Sequence, residues 1–161
     1  MIQRSWYVVA GLALAACSSG GAAPGGSVDP AGSAEAAVQG FMMAAADSNL
    51  AKMAEHWGSA KGPASKTRDP ADFERRIAIM QAYLRNSSHR IIANTADSRA
   101  SDRRNLMVEV KRDRCEKVVP VAVVRTSAGS WVINSIDLTA LGTPGRPCDE
   151  AGATPSPAPG S

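Results

Sequence analysis

Residues 105–126 read NLMVEVKRDRCEKVVPVAVVRT. Leu106, Val108 and Val110 alternate with Met107, Glu109 and Lys111, as in a strand with one buried and one wet face. A second β-branched run, KVVPVAVVRT, follows after turn formers, and Pro120 lies inside it. Proline cannot donate to a ladder, so a bulge or a sheet edge is expected there. Working outward, HRIIANT (89–95) precedes the pair and SWVINSIDL (130–138) follows it, with SAGS making a hairpin before the last run. The expectation is a curved, mainly antiparallel four-stranded sheet.

Upstream the period changes. Ser33 caps a helix through AEAAVQGFMMAAA, with Glu35 in its first turn and Ala34, Ala37, Val38, Phe41 and Ala45 on one apolar face. Asp47 or Ser48 is expected to cap a second helix, NLAKMAEHW, whose Leu50, Met53, Ala54 and Trp57 share a face and which Gly58 stops. GSAKGPASKT reads as a loop. Asp69 followed by Pro70 opens a third helix, with the proline at the first helical position and Phe73, Ile77, Met80 and Leu84 on its buried stripe. Three helices followed by an antiparallel sheet make an α+β plan, the helices covering one face.

The ends carry a different message. Arg4 precedes an apolar run from Trp6 to Ala16. As a helix this run covers roughly 16 Å of a hydrocarbon core roughly 30 Å thick. A basic start, a short apolar segment and small residues at its end form a secretory signal. Leu14-Ala15-Ala16-Cys17 resembles the lipobox of bacterial lipoproteins. The resemblance implies cleavage before Cys17 and acylation of its thiol, leaving a lipid membrane as a partner of the protein. It also implies a place in the bacterial cell envelope, on the outer membrane facing the periplasm, since Ser18 rather than Asp follows the cysteine. A plain secreted protein and a signal anchor remain the alternatives. The division expected is a signal peptide (1–16), a lipidated Cys17 with a flexible Gly/Ala/Ser/Pro tether (17–32), a folded domain (33–148) and a disordered tail (149–161).

With Cys17 consumed, Cys115 and Cys148 are the cysteines left, and in an exported protein they are expected to form a disulfide. A metal site lacks ligands, for there is no C-x-x-C and neither histidine lies near either cysteine in sequence. A redox-active pair has nothing to support it. Net charge is +3 over the whole chain. A local basic surplus, between Arg99 and Lys117, lacks interleaved aromatics, so nucleic acid is not expected as a partner; a solvated strand face or contact with anionic lipid or polymer is.

The segments FMMAAADSNLAKMAEHWGSAKGPA, RRIAIMQAYL and VVPVAVVRT…WVINSIDL are similar to small bacterial envelope lipoproteins of the nuclear-transport-factor-2-like (cystatin-like) superfamily. That resemblance implies a conical pocket between the long helix and the sheet, which some members use for proton abstraction. Candidate groups are weak. His56 and His89 read as helix-terminal or surface residues. Tyr83 and Asp137 come closest to an isomerase-like pair, but Asp137 alternates with Ile136 and Leu138 and so faces outward. Phe41 stands where isomerases of this kind carry a tyrosine on the first helix. No phosphate-binding glycine loop, G-x-S-x-G elbow or H-E-x-x-H occurs, and Asn86-Ser87-Ser88 is a formal glycosylation sequon without meaning in a bacterial lipoprotein. Trp57, with Gly62 and Pro63 near it, and Tyr83 are candidates for a pocket or its rim; Trp57 also suits a core plug. The reading is a non-catalytic module that binds a small apolar ligand or a partner protein, without cofactor or metal. The alternative is a small isomerase- or cyclase-like enzyme using the cone.

Overall fold

A computed structural model of the chain describes residues 32–146. The expected signal peptide, Cys17, the expected tether up to residue 31, Cys148 and the expected tail therefore lie outside the described residues. Helix α1 runs Ala34–Ala46, and Ser33 caps it by accepting from the Ala36 N–H at 3.1 Å. Helix α2, Leu50–His56, is capped by Asn49, whose Oδ1 accepts from the Lys52 N–H at 3.0 Å. Neither Asp47 nor Ser48 serves as that cap. Ser48 sits at φ 56° in the left-handed region, and its hydroxyl accepts from Gln81 Nε2 at 3.0 Å.

The stretch expected to be a loop is ordered. Strands β1 (Gly58–Ser59) and β2 (Gly62–Pro63) pair antiparallel, and the single-turn helix α3 spans Ala64–Thr67. The approach of β1 to β2 requires glycine, because a Cβ on Gly58 would lie 2.2 Å from the Gly62 carbonyl oxygen. Helix α4 spans Phe73–Leu84, so Pro70 is not its first residue. Asp69 pairs instead with Lys61 Nζ at 3.2 Å, and the Phe73 N–H bonds the Pro70 carbonyl in a turn that precedes the helix. Asp72 at the helix start is held by Arg76 one turn on, at 2.9 Å, and this hydrogen bond keeps its carboxyl below the usual range.

The sheet has the order β3-β4-β5-β6, with β3 Ser88–Ala96, β4 Arg103–Arg112, β5 Cys115–Arg125 and β6 Trp131–Ile136, each antiparallel to its neighbour. A 3-10 turn, Leu138–Leu141, follows and is capped by Asp137. Pro120 interrupts nothing in the β4–β5 ladder, where it faces Met107. Its carbonyl accepts from the Asp137 N–H just beyond the end of β6. The nitrogen and carbonyl of one strand residue point the same way, so the missing N–H falls where no β6 carbonyl waits. The irregularities lie elsewhere, between Ala122 and Val123 and between Ile91 and Ala93.

Register explains the core. Leu106 faces Val121 and Val108 faces Val119, so buried positions of β4 and β5 share one face. Val38, Phe41 and Met42 of α1 and Ile77, Met80 and Leu84 of α4 belong to the same core cluster. The start of α1 is tied to the same sheet by a polar chain. Arg104 Nε donates to Asn94 Oδ1 at 2.5 Å, and Asn94 Nδ2 donates to Glu35. Glu35 keeps a carboxyl pKa below the ordinary value, first through its own backbone N–H and then through Asn94. Among the described residues no helix is long and apolar enough to cross a membrane.

Candidate functional site

The residues singled out from sequence do not converge. Tyr83 is half-buried on α4 and packs against the core. Asp137 is exposed, and its Oδ1 accepts from the Thr139 N–H at 3.1 Å and the Thr139 hydroxyl at 2.5 Å. A carboxylate spent on capping a turn is poorly placed to abstract a proton. Trp57 is buried, forms a bridge to Ile133 of β6, and also lines a groove of about 270 Å³ with Ile79, Met80 and Leu138. Cys115 opens β5, is buried, and is not a free thiol.

His56 is placed differently from its sequence reading. It is 1 % exposed, and among the described residues neither ring nitrogen has a hydrogen-bond partner. Its ring lies against Gly40 of α1, where a Cβ would fall 2.5 Å from Cε1 and Nε2. Burial pushes its pKa below that of a free histidine; Glu55 raises it and Lys52 lowers it more weakly. A neutral imidazole packed as core cannot interact with the helix dipole as a cation. His89 is half-buried on β3, its Nδ1 donates to Asn86 Oδ1 at 3.3 Å, and its pKa is likewise lowered by burial.

The space between the helices and the sheet holds Phe41, Met42, Met53, Ile77, Leu84 and Leu106, each under 2 % exposed. Clefts open at the edges of this packing, the Trp57 groove between α4 and β6 among them. The larger, about 450 Å³, lies among α2, α3 and α4. Ala54 of α2 with Phe73 and Ile77 of α4 make its floor, all 5 % exposed or less, and Leu50 stands at its edge at 42 %. Alanines 51 and 54 leave the room that larger side chains would fill. Glu55, Ser65 and Glu74 supply its polar groups, from α2, α3 and α4 respectively. The Arg68 guanidinium sits 5.3 Å from the centroid of the Phe73 ring and 3.4 Å from Glu74. Arg68 reaches this position from the left-handed residue, φ 52°, that ends α3.

A smaller pocket of about 330 Å³ lies where Met43 and Asp47 of the first helix region approach Ser88 and His89. Among the described residues no group of three or more His, Cys, Asp or Glu side chains is arranged to hold a metal ion. Comparison with family models, with curated proteins and with solved structures found no match for this chain.

The cleft among α2, α3 and α4 escaped sequence reading because one wall, α3, looks like a loop. Leu50 was the available signal. It shares the helical period of the buried Met53 and Ala54 yet stays exposed at the cleft edge.

Proposed function

We propose that this chain is a lipid-anchored envelope lipoprotein whose α+β domain is a non-catalytic binding module with a nuclear-transport-factor-2-like arrangement. The Leu14-Ala15-Ala16-Cys17 string supports the anchor, and two or three acyl chains give stable membrane attachment. One observation carries the binding-module reading. Apolar side chains fill the core between the helices and the sheet, where an enzyme of this architecture keeps its catalytic cone; the clefts that stay open include an apolar hollow among α2, α3 and α4 and a groove between α4 and β6 beside Trp57. Acid–base chemistry needs a titratable group directed at a reacting atom in a cavity. Asp137 is engaged by Thr139, and His56 is packed against Gly40.

The anchor is tested in a bacterial host by metabolic labelling with an alkyne fatty acid and by membrane fractionation. Native chain is expected to take up the label and sediment with membranes. Cys17→Ser is expected to lose both. Full membrane retention of the unlabelled variant would overturn the anchor.

A further inference from the structure

We propose that the cleft among α2, α3 and α4 is a binding site for small amphipathic organic cations, an ammonium or guanidinium group joined to an apolar or aromatic body. This rests on the binding-module reading and names the chemistry of its ligand.

Three features of the cleft carry the proposal. Its volume, about 450 Å³, lies in the range of small-molecule sites, which run from about 300 to 1,000 Å³. Its floor is apolar, built from Ala54, Phe73 and Ile77, and would take the body of such a ligand. Its charged lining residues are Glu55 and Glu74, both acidic and set on different helices, and no lysine or arginine lines it. Charge complementarity therefore selects a cation.

The chain itself shows the recognition at one corner. Arg68 places a guanidinium over Phe73 and beside Glu74, combining a ring face with a carboxylate. Aromatic faces attract cations within about 6 Å of the ring centroid. Both partners of the Arg68–Glu74 pair are more than two-thirds exposed, at 71 % and 73 %. Exposed pairs of this kind contribute little and exchange readily, so a ligand cation can compete for Glu74. Glu55 makes no ion pair among the described residues and is available to the same ligand from the opposite wall.

The experiment uses full-length ¹⁵N-labelled protein at pH 7 with 2-phenylethylammonium as the probe and 2-phenylethanol as its neutral counterpart. The expected result is saturable amide shifts confined to residues 50–56, 64–68 and 73–78. The alcohol is expected to bind about tenfold more weakly, the loss of one partly screened charge contact. Glu55→Gln with Glu74→Gln should weaken the ammonium by a similar factor and leave the alcohol unchanged. Ala54→Leu, which fills the floor, should weaken both probes. Should that variant fail to fold, the charge-neutral pair still decides the matter, since it alters only exposed side chains. Equal affinity for the two probes, or an ammonium affinity untouched by the double variant, overturns the cation assignment. Saturable shifts at another cleft overturn this site while leaving the binding-module reading intact. Absence of any saturable shift overturns the site, and the anchor is judged separately by Cys17→Ser.

Discussion

His56 shows how a single side chain departs from its chemical type. Histidine carries two polar nitrogens, and a site next to the end of α2 suggests contact with water or with the helix dipole. The ring is instead pressed on Gly40, because only a glycine on α1 leaves space for it at 2.5 Å from the would-be Cβ. Burying the unpaired nitrogens costs stability, and charging them inside would cost more. The folded pKa is therefore lowered below the unfolded value of 6.5. The sign follows from linkage. Below that value the unfolded chain binds a proton that the folded chain resists, so this increment of stability is complete above pH 6.5 and lost as pH falls through the window beneath it. The facing charges act weakly in opposite senses, Glu55 raising and Lys52 lowering the pKa. His89 is lowered too and adds to the loss. Unfolding free energies from denaturant titrations at pH 7.5 and 5.5 are expected to differ more for the native chain than for His56→Leu, with a slope of at most about 1.4 kcal/mol per pH unit for one proton. Identical pH dependence in the two proteins would remove the argument.

Helix ends carry the next lesson, through caps. Asn49 meets the Lys52 N–H, satisfying a donor that α2 would otherwise leave open. Asn49→Ala is expected to cost about 1 kcal/mol in chemical denaturation. Asp47→Ala, at the position first expected to cap α2, should change stability by less than about 0.5 kcal/mol. Equal losses would show that the cap is shared. The same comparison explains what sequence could reveal. Helix α1 was legible to its boundaries, because Ser33 caps it and its apolar face is continuous from Ala34 to Ala45. The four strands were legible because alternation in β4 and β-branched runs elsewhere agree with their turns. The start of α4 was not. Asp69-Pro70 has the chemistry of a helix opening, yet Asp69 is drawn to Lys61, a tertiary contact that no local pattern announces. Of the candidate cleft, Leu50, Ala54, Phe73 and Ile77 were visible as residues of apolar helix faces, but not as the lining of one hollow. Its other walls depend on α3, a single turn in a stretch rich in glycine, serine and lysine, and on alanines whose smallness matters only opposite α4.

At the scale of the whole molecule, the domain resolves a packing problem by filling its own interior. Methionines 42, 53 and 80 adapt to the gap between helices and sheet, as flexible thioethers do in irregular cores. The β4–β5 hairpin turns tightly at Asp113, φ 53°, and puts Cys115 at the start of β5, opposite Arg112. The proposed partner, Cys148, follows the turn after Leu141 near the far end of the domain sequence. A bond between them would close the segment that contains β5 and β6, limiting the unfolded chain more than the folded one. In the chain-entropy account such a closure contributes about 3–4 kcal/mol. A double-mutant cycle separates this from ordinary packing loss. Cys115→Ser and Cys148→Ser should each lose the bond from oxidised protein, and the double variant should be no less stable than Cys115→Ser, because one bond cannot be lost twice. Buried Cys115 carries some packing of its own, so its variant sets the upper edge of the shared loss. Under reducing conditions the native chain should fall to the level of Cys148→Ser. Additive losses, or a native chain indifferent to reductant, would mean that the two cysteines act apart and that β5 and β6 stand without a covalent tie to the end of the domain.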